Sequence, residues 1–361
     1  DPFMTRSIAK LLKLGLAALL LLSVSACENA EPVYNSRFLA FGTLTDISIV
    51  GVSRERAQAA TQALEDDFAV MHKAWHAWDP GPLGRTNALL KEGKPFAAPP
   101  SVLGLLVKAR QLANDSEHLF NPAIGRLINL WGFQSDDPQC ERPPEDQSIQ
   151  MLVDKNPTMN DIHVDDFHLQ SSNPLVKLDF GAIGKGYGID MAIGHLRELG
   201  IKNAIVNSGG DLRAIGTRSG RPWRIAIRSP SGAGTLGFLH VKGDESVFTS
   251  GDYERNYVWE GKTYHHIIDP RTGYPATDTR SITVVHGDAT TADAAATALF
   301  VAGPQDWHRI ARKMGIRYVL LIDKHGVAHM NPAMQKRVTL MNKHQPVKIS
   351  PPLVPEHANH K

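Results

Sequence analysis

Leu178-Asp179-Phe180-Gly181-Ala182-Ile183-Gly184-Lys185-Gly186-Tyr187 is the stretch on which the reading of this chain turns. An apolar run, Leu175 to Phe180, carries an acid and then meets three glycines within six residues. An amphipathic pattern follows at once. That order predicts a strand, a tight glycine loop and a helix over Tyr187–Leu199. Glycine lets backbone N–H groups approach a ligand closely, and a helix N-terminus favours anions, so a phosphate or pyrophosphate is the natural guest. The stretch lacks the Gly-Lys-Ser/Thr ending of a P-loop and the spacing of a dinucleotide fingerprint. A strand-to-helix turn with no ligand fits the same residues.

Working outward, Phe38 to Val50 alternates as a strand does. Ser53 can cap a long helix whose stripe runs through Ala57, Ala60, Leu64, Phe68, Met71, Trp75 and Trp78. Asp79-Pro80-Gly81-Pro82 breaks it, and Ser101 caps a second helix to about Ala113. Residues 135–161 read as a polar insertion with a short helix near Ile149. Strands are predicted at His168–Leu169, Ala204–Asn207, Trp223–Arg228, Gly237–Val241, Ser281–Val285 and Arg317–Ile322. A hairpin turns at Glu260-Gly261, and helices fit Thr291–Val301 and Gln305–Met314. Strands mixed with helices, without strict alternation, predict an α+β fold.

The N-terminal segment carries a different signal. Asp1-Pro2-Phe3 reads as an addition ahead of a natural start at Met4. Arg6, Lys10 and Lys13 precede the apolar stretch Leu14–Leu22, too short for a comfortable membrane span of about 20 residues. Val24-Ser25-Ala26-Cys27 resembles a bacterial lipoprotein cleavage box. Residues 1–27 are therefore expected to be a lipoprotein signal peptide, with the lipid on Cys27, an extracytoplasmic (periplasmic-side) address and attachment to a bacterial membrane. Residues 28–37 are expected to form a tether, 38–343 one domain of one or two lobes, and 344–361 a Pro-rich tail. With Cys27 lipidated, only Cys140 remains of the two cysteines, so an intramolecular disulfide is excluded. A net charge of +2 with scattered Lys and Arg gives no nucleic-acid footprint.

Three further segments carry chemistry. In Thr291-Ala292-Asp293-Ala294-Ala295-Ala296-Thr297, Asp293 and Thr297 are four apart and share one helix face. A carboxylate plus a hydroxyl suits a hard cation such as Mg²⁺; a capping Asp and a Thr bonded back to its own helix fit equally. His265-His266-Ile267-Ile268-Asp269-Pro270-Arg271-Thr272-Gly273 sets histidines beside a turn, where one can act as a general base or bond across the turn. Adjacent strand residues point to opposite faces, which argues against a two-histidine metal site. Asn207-Ser208-Gly209-Gly210-Asp211, Phe120-Asn121-Pro122-Ala123-Ile124-Gly125 and Thr249-Ser250-Gly251-Asp252-Tyr253-Glu254-Arg255 are weaker polar-loop signals.

Taken together and in this order, these segments resemble the FAD:protein FMN transferases, the ApbE-type flavin transferase lipoproteins, from about Phe38 to about Met341. The resemblance implies an ApbE-like (T-fold-like) architecture of mixed sheets with flanking helices and an active site in a cleft. It implies Mg²⁺-dependent transfer of the FMN half of FAD to a Thr or Ser of a partner, with AMP released. The partners it implies are flavoprotein subunits of membrane redox complexes. By resemblance the metal ligands fall on the Ala182 carbonyl, Asp293 and Thr297. Flavin-nucleotide contacts fall on Phe41, Trp78, Leu119, Phe120, Asn121 and Asp179, with Gly181, Gly184 and Lys185 from the glycine loop, and the catalytic base on His266. The chain departs from the family where Phe41 stands for Met and Trp78 for Tyr. The family's Ser/Thr-Gly-Ala/Ser-Thr acceptor motif has no copy here, so modification in trans is expected. An FAD pyrophosphatase, which uses water in place of the protein hydroxyl, and a non-catalytic FAD-binding lipoprotein are the alternative readings.

Overall fold

The computed structural model describes residues 31–134 and 142–354. The chain divides at Pro32, and the unit from Val33 carries everything below. The signal segment, Cys27, Cys140 and the end of the tail lie outside the described residues. Among the described residues no helix is long and apolar enough to cross a membrane.

A nine-stranded sheet forms the centre. Its spatial order is Val33–Ala40, Thr43–Val50, Asn203–Ser208, Asp211–Ile215, Glu245–Gly251, Thr279–His286, Tyr318–Asp323, Ala328–Met330 and Val347–Ile349. Neighbours are antiparallel except the last pair. The first strand starts at Val33, inside the stretch read as a tether, and the last occupies part of the stretch read as a loose tail.

The period-two alternation of strand side chains supplies both faces of this sheet. Val319 and Leu321 point into the larger core, while Leu320 and Ile322 point into a second one. The helices Arg54–Trp75, Pro100–Asp115, Gly184–Glu198 and Ala289–Lys313 cover the first face. A three-stranded sheet (Trp223–Arg228, Thr235–Val241 and Thr339–Leu340) covers the second through Trp223, Ile225, Ile227 and Leu239. A satellite cluster of Ile124, Leu127, Trp131, Phe133, Ile149 and Ile268 anchors the loops near the site.

Five features differ from the sequence reading. The long helix, capped by Ser53, ends at Trp75, because the His76 ring accepts the amides of Trp78 and Asp79 and turns the chain. Trp78 therefore lies past the helix. A helix at Pro82–Glu92 follows the breaker, using Pro82 at its first turn. The next helix starts at Pro100, with Ser101 inside it. Leu175–Phe180 joins no sheet strand. The Asn87 side chain bonds both the N–H and the C=O of Leu178 (2.7 and 2.9 Å), and the 122–125 loop takes the backbone groups of Lys177 and Asp179. The two predicted C-terminal helices run as one, Ala289–Lys313, interrupted by non-helical Gly303 ahead of Pro304.

Candidate active site

The helix Gly184–Glu198 crosses the helix Ala289–Lys313 at Gly186. A β-carbon there would sit 2.7 Å from the Asp293 β-carbon and closer still to the Ala289 carbonyl oxygen, so only glycine permits the crossing. The contact delivers Asp293: its Oδ2 accepts the Gly186 amide at 2.8 Å. The glycine bend and the alanine-rich helix thus converge on one cavity of about 700 Å³. Every residue assigned to the site from sequence lines it: Phe41, Trp78, Leu119, Phe120, Asn121, Asp179, Gly181, Ala182, Gly184, Lys185, His266, Asp293 and Thr297.

The glycine loop behaves differently from the sequence expectation. The Gly181 amide donates to Asp179 Oδ1, the Gly184 amide to the Phe180 carbonyl and the Gly186 amide to Asp293. These three N–H groups are spent inside the protein. Here the glycines serve close packing, and Lys185 is a cation facing the cavity, its Nζ 2.8 Å from Asp211 Oδ2. Asp211 is itself fixed by the Thr249 amide at 2.9 Å. Burial alone would depress the Lys185 ammonium, but Asp211, Glu254 and Asp293 together raise it above its ordinary value. Asn121 is also committed internally: its amide nitrogen donates to Pro157 and its oxygen accepts from Ala123.

Asp293 carries the strain of this arrangement. Burial, and after it the Asp211 carboxylate, push its carboxyl well above the usual range. A cation beside it would relieve that. Among the described residues no group of three or more His, Cys, Asp or Glu could cage a metal. One carboxylate, one hydroxyl one helical turn on, and a carbonyl instead suit Mg²⁺, which keeps waters and substrate phosphates in its shell. The donor set of Asp293, Thr297 and the Ala182 carbonyl fits that ion.

His266 hangs at the base of the Asn256–His265 hairpin. Its Nδ1 lies 3.3 Å from the Arg255 carbonyl, which can only accept, so Nδ1 carries the proton and Nε2 holds a free lone pair. Burial, with Arg255 next, holds the ring well below the usual histidine range, so it is neutral. Nε2 faces Glu254 Oε2 at 3.8 Å, beyond hydrogen-bonding distance. About a third of the Glu254 side chain is exposed, but that surface opens onto the cavity. Burial, opposed in part by Lys185, lifts its carboxyl to about 7.

Part of the lining is aromatic. Phe41 sits at the tip of the first hairpin with φ 50°, stacked on Trp75 at 6.3 Å with an interplanar angle of 2°. Trp78 is held at its edge by Asp179 Oδ2 (3.3 Å) and capped on one ring face by Lys177 Nζ (3.6 Å).

The sequence matches the ApbE family over residues 41–320. The chain belongs to the ApbE family. An FAD:protein FMN transferase from Rhodobacter capsulatus is 40% identical over 327 residues, 90% of this chain and 62% of that protein. The chain therefore spans less than two thirds of that relative. One from Haemophilus influenzae is 30% identical over 325 residues, covering 87% of this chain and 93% of that protein. The crystal structure of the ApbE protein from Thermotoga maritima matches with a TM-score of 0.77 at 31% identity, covering 85% of this chain and 99% of that one. The apo flavinyl transferase ApbE of Pseudomonas stutzeri matches at 0.74 and 27%, covering 85% and 97%. The α+β class read from sequence holds, and the solved ApbE structures share this fold.

Glu254, Asp211, Arg228, Arg255 and Lys177 were not assigned to the ApbE-type site from sequence. The first four line the cavity, and Lys177 backs Trp78. Glu254 and Arg255 lie within the Thr249–Arg255 segment, whose acid following Tyr253 was the available signal.

Proposed function

We propose that this chain transfers the FMN half of FAD to a Thr or Ser hydroxyl of a partner flavoprotein, with Mg²⁺, releasing AMP. The relatives' shared name supports the reaction class. The observation that carries it in this chain is the neutral His266, its Nε2 lone pair turned into the cavity that Asp293 and Lys185 also face.

Phosphoryl-type transfer is largely positioning and charge neutralisation. Bound Mg²⁺ would neutralise the pyrophosphate and orient it. Lys185, pinned by Asp211, presents a further positive charge to the same group. Trp78 and Phe41 offer apolar faces to the flavin nucleotide. His266 Nε2 accepts the proton of the incoming hydroxyl, whose oxygen bonds to the FMN phosphorus while the anhydride bond to AMP breaks. The test is to incubate the protein with FAD, Mg²⁺ and an acceptor flavoprotein subunit of a membrane redox complex, then weigh both proteins. One FMN gained by the acceptor per AMP released supports the reading. Free FMN with an unmodified acceptor would make the chain a pyrophosphatase.

The proposal includes a lipid on Cys27 and a periplasmic-side address. Cys27→Ser should then move the protein from the membrane fraction to the soluble one.

A further inference from the structure

The three-stranded layer over the second core carries an unbalanced charge. Its stretch from Gly216 to Gly243 holds Arg218, Arg221, Arg224, Arg228 and Lys242 and not one Asp or Glu. All five cations are exposed, and none forms an ion pair among the described residues. The acids that follow are already taken: Asp244 by Arg197 and Arg213, Glu245 by Arg337.

Four of the five cations gather at one end of the layer. Arg218 and Arg221 sit in the loop before Trp223–Arg228, and Lys242 follows Val241, the partner of Trp223. Arg224 stands on the outward row of its strand, opposite His240 and over the Phe238 ring at 3.8 Å. The chain enters the large sheet at this same end. Val33 pairs with Val50, Val50 pairs with Asn203, and Asn203 Oδ1 accepts the Thr217 amide at 2.8 Å. Val33 is therefore two strand spacings, about 10 Å, from the residue that pins the basic loop. It also packs on the second core, the side that the basic layer covers. Only six residues separate Val33 from Cys27, a reach of about 20 Å at most. The main cavity lies at the other end of these strands. Phe41, in its lining, follows the eight residues of Val33–Ala40, a run of about 25 Å.

Resting on the Cys27 anchor proposed above, we infer that this basic end is a docking face for the anionic headgroups of a phospholipid bilayer. The acyl chains hold the protein at the membrane, and Arg218, Arg221, Arg224 and Lys242 set its orientation. Their guanidinium and ammonium groups, left unpaired by the fold, take the phosphates of the bilayer surface. Docked this way, the chain carries its cavity about 25 Å along the strands from the membrane-facing end, toward a partner's portion outside the bilayer.

The test uses the full chain as Cys27→Ser, so that headgroup binding is read without acyl chains. Vesicles are made of phosphatidylglycerol with phosphatidylcholine, or of phosphatidylcholine alone, and co-sedimentation gives the affinities. The chain should prefer the anionic vesicles. Arg218→Gln, Arg221→Gln and Lys242→Gln together should weaken that binding about 100-fold, at about five-fold for each cation. Arg85→Gln, Lys91→Gln and Lys94→Gln remove the same charge at the Pro82–Glu92 helix, on the first face, and should leave the binding within about two-fold. Melting curves check that both triple variants fold. Equal affinity for the two vesicles, equal losses in the two triple variants, or no loss in the first would overturn the docking face. Tighter binding to polyglutamate than to anionic vesicles would assign the cations to an acidic protein and overturn it too. Failure of the anchor reading shows separately, as a parent chain from membranes with no acyl mass on Cys27.

Discussion

The two walls of the cavity are built on opposite principles. The charged wall groups Lys185, Asp211, Glu254, His266 and Asp293, and the ionisation of Lys185, Glu254 and Asp293 depends on the charges around them. The aromatic wall holds Phe41 and Trp75 by ring contact and backbone geometry, and Trp78 by Asp179 at its edge and Lys177 on one face. A change on the charged wall alters what the site can do. A change on the aromatic wall alters how well it fits.

The contrast breaks first at Asp293. Asp293→Asn keeps an oxygen for the Gly186 amide, so the fold should survive while the metal-binding charge is lost. FMN transfer at saturating FAD should drop by about 10³-fold, the scale of removing a preorganised electrostatic group, with the melting temperature near the parent's. Next comes His266→Gln. Removing a positioned general base should reduce kcat by about 10²-fold or more, while FAD binding measured by fluorescence stays.

The helix crossings give a matched pair. Gly186→Ala meets a backbone carbonyl that cannot yield, and overpacking of this kind costs about 1–3 kcal/mol. Gly188→Ala meets the Phe41 ring at 3.1 Å and the Met71 sulfur at 3.3 Å, side-chain atoms that can shift. The gain of about 1 kcal/mol for Ala over Gly inside a helix offsets that contact. Chemical denaturation should find Gly186→Ala clearly destabilised and Gly188→Ala within about 1 kcal/mol of the parent.

The last effect concerns pH. Glu254 titrates at about 7 in the folded chain against an ordinary 4.5, so the folded state binds the extra proton. Stability is therefore lost as pH rises from 4.5 to about 7. Glu254→Gln should match the parent below 4.5 and exceed it in melting temperature above about 7. A constant difference across that window would contradict the shift.

The charged wall was legible in the sequence because its parts are compact motifs: an Asp and a Thr at helical spacing, a His beside a turn. Their convergence was readable only through family resemblance, since residues 186 and 293 are brought together by a crossing no local pattern encodes. The aromatic wall was harder. Trp78 continues the helical stripe in sequence, and only the His76 ring, by taking the next two amides, ends the helix before it. The run Leu175–Phe180 has strand composition, yet a distant Asn87 takes the Leu178 backbone groups and the 122–125 loop those of Lys177 and Asp179. The glycine loop was read as a phosphate cradle. The amides of its three glycines are paired inside the protein, because the same small residues that admit a ligand also admit a helix.

The most direct measurement is the intact mass of an acceptor flavoprotein after incubation with this chain, FAD and Mg²⁺, with and without a chelator. The account predicts one FMN added through a Thr or Ser, one AMP released for each, and neither in chelator. Transfer that persists in chelator, or a His266→Gln variant that transfers at the parent's rate, would contradict it.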